Sequence, residues 1–415
     1  MTRPRALGIL AAGTGAALAS TALYIVISAQ AQGGVQGGVQ ARFRPVGAFV
    51  QAADSLLPAP VVAMAPVPGP SAARPSALTR PEPCTAKGLS GLDFGAACIT
   101  PESGGLYLRP EFAAHLPHLR GHGMIRTVTA RLDRADHLRA LADMPRLTNL
   151  NLQGSALVDA SALAGLPALR RLNLADSAVT DLSFVAAMPG LRELSLAGTA
   201  LVDLAPLAGH PGLRKLDISA SRVTDLAPLS RLPALEELHI TGTATSDLAP
   251  LADLATLRVL DAGQTRVSDL RPLAGLIRLN RLSFPDSPVA NLAPLAGLTA
   301  LQELHADQTR ITDLTPLAGL IAMRHLQVDG TGISDLGPLA GMTRLRSLDL
   351  RDTAVTDLSP LAGLTRLFRL RLDNTPVTDL SPLRRLPTLG SLHLVGAAAT
   401  DTDLAFANPD LTIRR

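Results

Sequence analysis

The sequence predicts an α/β solenoid, with a curved parallel β-sheet on its concave face and short 3₁₀ or helical turns on its convex face. Three observations predict this fold. A 22-residue pattern recurs twelve times from Leu147 onward without one insertion or deletion. Each copy contains a short leucine alternation typical of a strand, and repeats of this length stack into solenoids. Aromatic residues make up only 2% of the chain, so leucine and alanine must supply the buried surface.

An apolar segment opens the chain. Arg3 and Arg5 precede an uncharged stretch whose apolar part runs from Ala6 to about Ile27, close to the ~20 residues that span a bilayer. Retention of the two arginines in the cytoplasm places the rest of the chain on the far side of the membrane. Residues 1–31 are therefore predicted to be a membrane anchor or a signal segment.

Two locations are compatible with this segment. If it stays uncleaved, the protein is a single-pass inner-membrane protein whose repeat domain lies in the periplasm. The alternative is secretion after cleavage near Ala31, because Ala29, Gln30 and Ala31 form an A-x-A cleavage site.

Two segments connect this N-terminal region to the repeats. Residues 32–83 are rich in Gly and Gln and then in Pro and Ala, a composition that predicts an extended linker without a core. Residues 84–124 are predicted to be an N-terminal cap over the first apolar edge. We expect Cys84 and Cys98 to form a disulfide there, because the predicted compartment is oxidising. The alternative is two free thiols, and their spacing matches no metal site.

Residues 125–415 form the predicted solenoid of about 13 repeats, of which the first, beginning at Ile125, is a looser copy. The consensus is L-x-x-L-x-L-x-x-T-x-V-x-D-L-x-P-L-x-x-L-x-x. Its L-x-L at positions four to six predicts a strand whose two apolar side chains face inward. Asp at position 13 predicts the N-cap of a tight turn, and Pro at position 16 suits the first residues of that turn.

Two further positions make predictions about the interior. Position nine is Thr or Ser in eleven of the twelve units, and a hydroxyl can donate to one carbonyl and accept from one N–H. We therefore interpret these residues as structural and not as nucleophiles. At position six, Phe284 lies between Ala262 and Ala306 of the adjacent units. Because cores keep a nearly constant packing density, Phe284 is predicted to fill the space that both alanines leave.

The repeats resemble the bacterial leucine-rich repeats of the internalin type, most closely in the D-L-x-P-L-x-x-L half. The resemblance covers residues 125–411. It implies a leucine-rich repeat solenoid and an extracytoplasmic binding protein that engages partners along the concave sheet. The chain departs from the family in two respects. Thr or Ser replaces Asn at position nine, and no aromatic residues line the sheet.

The ligand is expected on the concave face, where positions three, five and seven should point. With strands about 4.8 Å apart, thirteen of them span roughly 60 Å, enough for a protein or peptide ligand. Arg369 and Arg371, with Phe368, are a candidate patch for an anionic ligand. The residues predicted to bind the ligand are His239, Arg281, Glu303, His305, Asp307, His325, Asp329, Asp349, Arg369 and Arg371.

A metal site is the alternative at the centre of this face, since His305, Asp307, His325 and Asp329 belong to adjacent strands and imidazole and carboxylate suit divalent ions. The two histidines lie on a diagonal, however, too far apart for one ion. We therefore predict no metal and no cofactor. Asp307 and Asp329 lie opposite each other, and their repulsion suggests a cation or a basic partner.

Other function classes receive less support. The net charge is only +3 and the charges are interspersed, which argues against nucleic-acid binding. The sequence has no Ser-His-Asp elbow, phosphate loop or metal-ligand motif, so it is not expected to be an enzyme. The remaining places for an enzyme site are the histidine cluster of the concave face and the irregular unit from Leu279, with Pro285, Pro288 and Asn291. The leading hypothesis is a monomeric, membrane-anchored binding or scaffold protein, and the alternative is a secreted adhesin or effector.

Overall fold

The computed structural model describes residues 104–108, 116, 125–142, 144–399 and 406–415, together with three two-residue strands that precede them. The described strands are β1 (Glu82–Pro83), β2 (Leu92–Asp93), β3 (Cys98–Ile99), β4 (Gly105–Leu108), β5 (Thr127–Ala130), β6 (Asn149–Asn151), β7 (Arg171–Asn173), β8 (Glu193–Ser195), β9 (Lys215–Asp217), β10 (Glu237–His239), β11 (Val259–Asp261), β12 (Arg281–Ser283), β13 (Glu303–His305), β14 (His325–Gln327), β15 (Ser347–Asp349), β16 (Arg369–Arg371), β17 (Ser391–His393) and β18 (Thr412–Arg414), and the helix α1 is Ala135–Ala142.

Within these residues, strands β4 to β18 form one fifteen-stranded sheet in strict chain order, in which every neighbouring pair is parallel. Strands β6 to β17 pair with a constant offset of 22 residues, for example Glu303 with His325. Strands β1 to β3 form a separate antiparallel sheet. The predicted solenoid with a parallel sheet is confirmed. Its strands occupy positions three to five of the repeat, one residue before the predicted L-x-L.

The core is a single continuous cluster that extends from Leu106 in β4 to Leu394 after β17. The apolar residues at positions one, four, six, eleven, fourteen, seventeen and twenty of the repeat supply it. Complete burial of one leucine stabilises a fold by about 1.5–3 kcal/mol. Since each unit contacts only its neighbours, this stabilisation is distributed along the array.

The second half of each unit is a short 3₁₀ turn on the opposite side of the core. The turns are Ser161–Gly165, Ser183–Ala187, Ala205–Leu207, Ala227–Arg231, Ala249–Leu251, Arg271–Leu273, Ala293–Leu295, Thr315–Leu317, Gly337–Leu339, Ser359–Gly363 and Ser381–Leu383. Asp at position 13 was predicted to be the N-cap residue of this turn, and it lies one residue before the N-cap. Leu226 occupies the N-cap, and the preceding Asp225 accepts a hydrogen bond of 2.8 Å from the backbone N–H of Ala227. This is an Asx turn, in which the carboxylate replaces a missing backbone acceptor.

The threonine hydroxyl at position nine donates to a backbone carbonyl of its own turn. In Thr265, Oγ1 donates to the carbonyl of Ala262 at 2.7 Å, and Thr309 does the same to Ala306 at 2.7 Å. Each bond therefore closes the turn inside its own unit. At the first regular unit, the hydroxyl of Ser155 instead accepts from the backbone N–H of Leu132 in the preceding unit at 3.0 Å.

Position eight has a backbone requirement that the sequence pattern did not reveal. Its residue has a positive φ in all twelve regular units. Five of these residues are glycines, and the other seven are Asp176, Ala220, Gln264, Asp286, Gln308, Asp352 and Asn374, with φ between 53° and 56°. This left-handed conformation is unfavourable for a residue with a Cβ, and it turns the chain out of the strand in each unit.

The predicted packing of Phe284 is confirmed in its main feature. Phe284 is fully buried, and Ala262 and Ala306, at the same position of the adjacent units, are buried with it in the same cluster. A large side chain thus lies between two small ones in the column of position six.

Several predictions lie outside the described residues. These are the anchor at 1–31, most of the linker at 32–83 and the pairing of Cys84 with Cys98. Among the helices that the structure describes, none is long and apolar enough to cross a bilayer. The predicted cap at 84–124 contributes β4, which pairs in parallel with β5 and so extends the repeat sheet by one strand.

Candidate binding face

The candidate binding face is the open side of the parallel sheet, opposite the core. In β13, Leu304 is fully buried, whereas Glu303 and His305 point to the other side, because side chains alternate across a strand. The register does not shift between neighbouring units. Residues at the same position therefore form columns, with about 4.8 Å between successive members.

Charged side chains of opposite sign connect β9, β10 and β11. Lys215 Nζ lies 2.9 Å from Glu237 Oε2. His239 contacts two acids: its Nδ1 lies 2.6 Å from Asp261 Oδ2, and its Nε2 lies 3.9 Å from Glu237 Oε2. Burial by itself lowers the pKa of His239, but the contacts with Asp261 and Glu237 outweigh burial and raise the pKa to about 9. The imidazole is therefore charged at neutral pH and lies between two carboxylates.

The next strands continue the alternation through Arg281, whose Nε lies 3.6 Å from Asp261 Oδ1 and whose Nη1 lies 3.8 Å from Glu303 Oε2. His305 lies beside this pair and is only 8% exposed. Burial, and then the charge of Arg281, lower the pKa of His305 to about 4. Two histidines of the same face, His239 and His305, therefore have opposite charge states at neutral pH.

Two carboxyl groups meet at Asp307 and Asp329, which occupy position seven of adjacent units. Burial, followed by the hydrogen bond with Asp329, raises the pKa of Asp307 well above the usual range of a carboxyl group. Asp307 thus keeps its proton at neutral pH. Arg351 Nη2 also lies 3.4 Å from Asp329 Oδ1. The repulsion expected between the two aspartates is relieved within the chain, which removes the reason to expect an external cation.

Asp349 is the most buried acid of the face, with 2% of its surface exposed. Arg351 Nε donates to its Oδ1 at 2.8 Å, and Arg371 Nη1 donates to its Oδ2 at 2.9 Å. The buried carboxylate of Asp349, one of the predicted ligand-binding residues, is therefore held by two guanidinium groups. Arg351 and Arg371 keep 37% and 30% of their side-chain surface exposed.

His325, at position three of β14, lies in a positive environment. Burial lowers its pKa, and Arg346, Arg324 and Arg369 lower it further against the opposing charge of Glu303. Three arginines from three consecutive units thus lower the pKa of one imidazole.

Comparison with known proteins agrees with this architecture. The family model of leucine-rich repeats in two copies matches residues 343–385. An internalin from Listeria monocytogenes is 27% identical, with 72% of this chain and 89% of the internalin aligned at a TM-score of 0.61. The chain is a bacterial leucine-rich repeat protein of the internalin-like type. A leucine-rich repeat protein from Leptospira interrogans shares the fold at 18% identity, with 75% and 89% coverage and a TM-score of 0.65. No curated protein matches the sequence.

In this leucine-rich repeat protein, the predicted binding residues are brought together mainly as ion pairs. Arg281 contacts Glu303, and Arg371 contacts Asp349. The four residues weighed as an alternative metal site are His305, Asp307, His325 and Asp329. Strand pairing places His325 opposite Glu303 and His305 opposite Gln327, so the histidines are on the expected diagonal. Within the described part of the chain, no cluster of three or more candidate ligands could hold a metal ion.

The sequence-based selection missed three charged residues of this internalin-like sheet. Arg351 follows β15 at position seven and contacts both Asp329 and Asp349. Arg324 and Arg346 stand at position two, just before the strands. The recurrence of arginine at position two is visible in the sequence and could have identified Arg324 and Arg346. Arg351 stands at position seven, which was already assigned to the concave face.

The irregular unit from Leu279 keeps the architecture of its neighbours. Its strand β12 pairs in register on both sides, and Asn291 accepts a hydrogen bond of 2.8 Å from Ala293, as the aspartates do elsewhere. Pro285 leaves the backbone pattern intact, because its carbonyl accepts from the N–H of Gln264 at 2.7 Å. The sequence irregularities thus fit the backbone pattern of the repeat.

Proposed function

We propose that this protein is an extracytoplasmic binding scaffold that recognises a protein or peptide on the concave face of its sheet. One observation carries the proposal: a continuous, mainly polar face over thirteen repeat strands, β5 to β17, held in register by a continuous core. Such a face is roughly 60 Å long. Its arginines and carboxylates can provide charge complementarity, which favours specific association.

Other proteins of this fold support a peptide or protein ligand. The ectodomain of a plant receptor kinase from Arabidopsis thaliana is known in complex with CASPARIAN STRIP INTEGRITY FACTOR 2, at 16% identity and a TM-score of 0.52. A plant peptide hormone receptor is known in complex with RGF2, at 12% identity and a TM-score of 0.55. These relatives share the fold alone, and their ligands suggest only the class of partner.

The proposal includes membrane attachment through residues 1–31. Arg3, Arg5 and the apolar stretch that follows support it. The alternative is a secreted adhesin or effector, released by cleavage near Ala31. Intact-mass measurement of the mature chain, with fractionation of the cells, separates the two. A mass lacking the N-terminal segment, with protein in the medium, would favour secretion.

Photo-crosslinking in the native host tests the binding face. A photoreactive residue replaces Ser347, on the strand β15, or the exposed Ala296, on the turn side. We expect a defined crosslinked product from the Ser347 variant and none from the Ala296 variant. Products from the turn side alone, or equal products from both sides, would contradict recognition by the sheet.

A further inference from the structure

One edge of the concave face carries a cluster of arginines in three consecutive units, those that begin at Met323, Leu345 and Leu367. The cluster occupies positions twenty-two, two and three, directly before and at the start of the strands. We call it the arginine patch, and it consists of Arg324, Arg344, Arg346, Arg366 and Arg369 with Phe368. All six side chains are exposed.

The arginines of the patch differ from those of the N-terminal half in their ion pairing. No ion pair joins any of the five to an acid within the described residues, whereas in the N-terminal half Glu236 lies 3.1 Å from Arg214 and 3.9 Å from Arg258. Burial is the largest cause of the lowered pKa of His325, and the charges of Arg346, Arg324 and Arg369 lower it further. Unpaired like charges repel one another, so an anionic group bound here would relieve this repulsion.

Phe368 gives the patch an apolar surface. Its ring is 55% exposed and lies against Gly390, where an added Cβ would come within 2.5 Å of the ring. The absence of a side chain at Gly390 thus lets the ring approach the backbone of the next unit. An exposed aromatic ring beside arginines is the residue combination that is enriched at protein-binding hot spots.

We infer that the arginine patch binds a short acidic peptide segment that also carries an apolar residue. This inference rests on the proposed function and names the chemistry of the partner. Guanidinium groups form bidentate hydrogen bonds with carboxylates, and the ring of Phe368 receives the apolar side chain. Three units extend over roughly 14 Å, the length of about four extended residues.

The boundaries of the patch favour a short segment over a long polyanion. Before it, position two becomes uncharged at Gln302, and Glu303 follows at position three. After it, Gly390 and Ser391 carry no charge. On the sheet side lie the acidic groups of Asp329 and Asp349. A long anionic polymer would extend over these neutral and acidic residues without gaining contacts.

Fluorescence anisotropy with the full-length protein in a non-ionic detergent tests the inference. The probe is a short labelled peptide in which glutamates alternate with leucines, and its control has glutamine in place of glutamate. The double variant Arg346→Glu and Arg369→Glu should weaken binding of the acidic peptide by at least about tenfold. Phe368→Ala should weaken it by a few-fold.

The matched control is the double variant Arg170→Glu and Arg192→Glu. Both residues also stand at position two and are exposed, and they line a shallow groove with Pro167 and Pro189 at the other end of the array. This control variant should leave binding of the acidic peptide unchanged. Equal weakening by both double variants, binding of the glutamine peptide with the same affinity, or tighter binding of heparin or single-stranded DNA would overturn the inference.

Failure of this inference can be told apart from failure of the proposed function. If the patch variants do not affect peptide binding while Ser347 still yields its crosslinked product, the face binds a partner of different chemistry. If neither the Ser347 variant nor the Ala296 variant yields a crosslinked product in cells, the scaffold proposal itself fails.

Discussion

At the scale of single residues, the backbone at position eight and the charges of the sheet face depend on different physical effects. The left-handed conformation at position eight costs roughly 1–2 kcal/mol for a residue with a Cβ. Asp and Asn adopt this conformation more readily than other residues, since their short side chains bond locally. Ala220 has no such compensation, at a φ of 53°.

Replacement of Ala220 by glycine should therefore stabilise the protein. The relief of strain exceeds the added flexibility of the unfolded chain, with a net gain of about 0.5–1 kcal/mol. The control is Ala252→Gly, an exposed alanine with φ of −57°, which should destabilise by about 0.5–1 kcal/mol. Urea denaturation of the two variants measures both effects. If both substitutions changed stability in the same direction, position eight would not be strained.

The protonation of His239 makes stability depend on pH. Its pKa rises from 6.5 to about 9 on folding, so its stabilising contribution is complete below pH 6.5 and is lost as the pH rises through about 9. We expect the urea midpoint to fall over this window and to fall less in His239→Gln. His325→Gln is the control, because the pKa of His325 is lowered and its proton is lost before the window. An unchanged pH profile in His239→Gln would refute the assignment.

At the scale of elements, each unit is a strand, a left-handed turn and a 3₁₀ turn, closed by local side-chain bonds. Asp at position 13 accepts from the backbone two residues later, and Thr at position nine donates to the carbonyl three residues earlier. Both bonds remain inside one unit. These two bonds shape each unit separately, whereas the backbone ladder, the leucine core and the ion pairs of the sheet face join neighbouring units.

Removal of the hydroxyl at position nine should destabilise the turn. Thr309→Val keeps the shape but leaves the buried carbonyl of Ala306 without its bond of 2.7 Å, at a cost of about 1–2 kcal/mol. Thr312→Val, at an exposed position of the same unit, should change stability by less than about 0.5 kcal/mol. Hydrogen exchange should show faster opening near residue 309 only in the first variant. If Thr309→Val and Thr312→Val changed stability equally, the hydrogen bond of the Thr309 hydroxyl would contribute nothing to stability.

At the scale of the whole molecule, the array is stabilised by contacts between neighbouring units, so a local defect should remain local. Phe284 is the largest fully buried side chain of the described core. Its neighbours in the column of position six, Ala262 and Ala306, cannot fill the space that its loss would leave.

Phe284→Ala should therefore cost about 3–5 kcal/mol and loosen the central units first. Phe284→Leu restores the residue that position six usually carries, but it should still destabilise, because its neighbours are alanines. Adding Ala306→Val to Phe284→Leu should recover part of the loss. Denaturation measures the stability of each variant, and hydrogen exchange shows which units loosen. If the effects of Phe284→Leu and Ala306→Val on stability simply add in the double variant, the packing of these two positions is not coupled.

The sequence by itself determined the solenoid, the continuous core, the 3₁₀ turns and the burial of Phe284. These features depend on the period of the leucines and on turn residues a few positions apart, and such patterns are local. The tertiary structure decided what the face presents. Burial and neighbours 22 residues away leave His239 charged and His305 neutral, keep a proton on Asp307 and cover Asp349. These states depend on the distances between side chains of different units, which a repeat consensus does not contain.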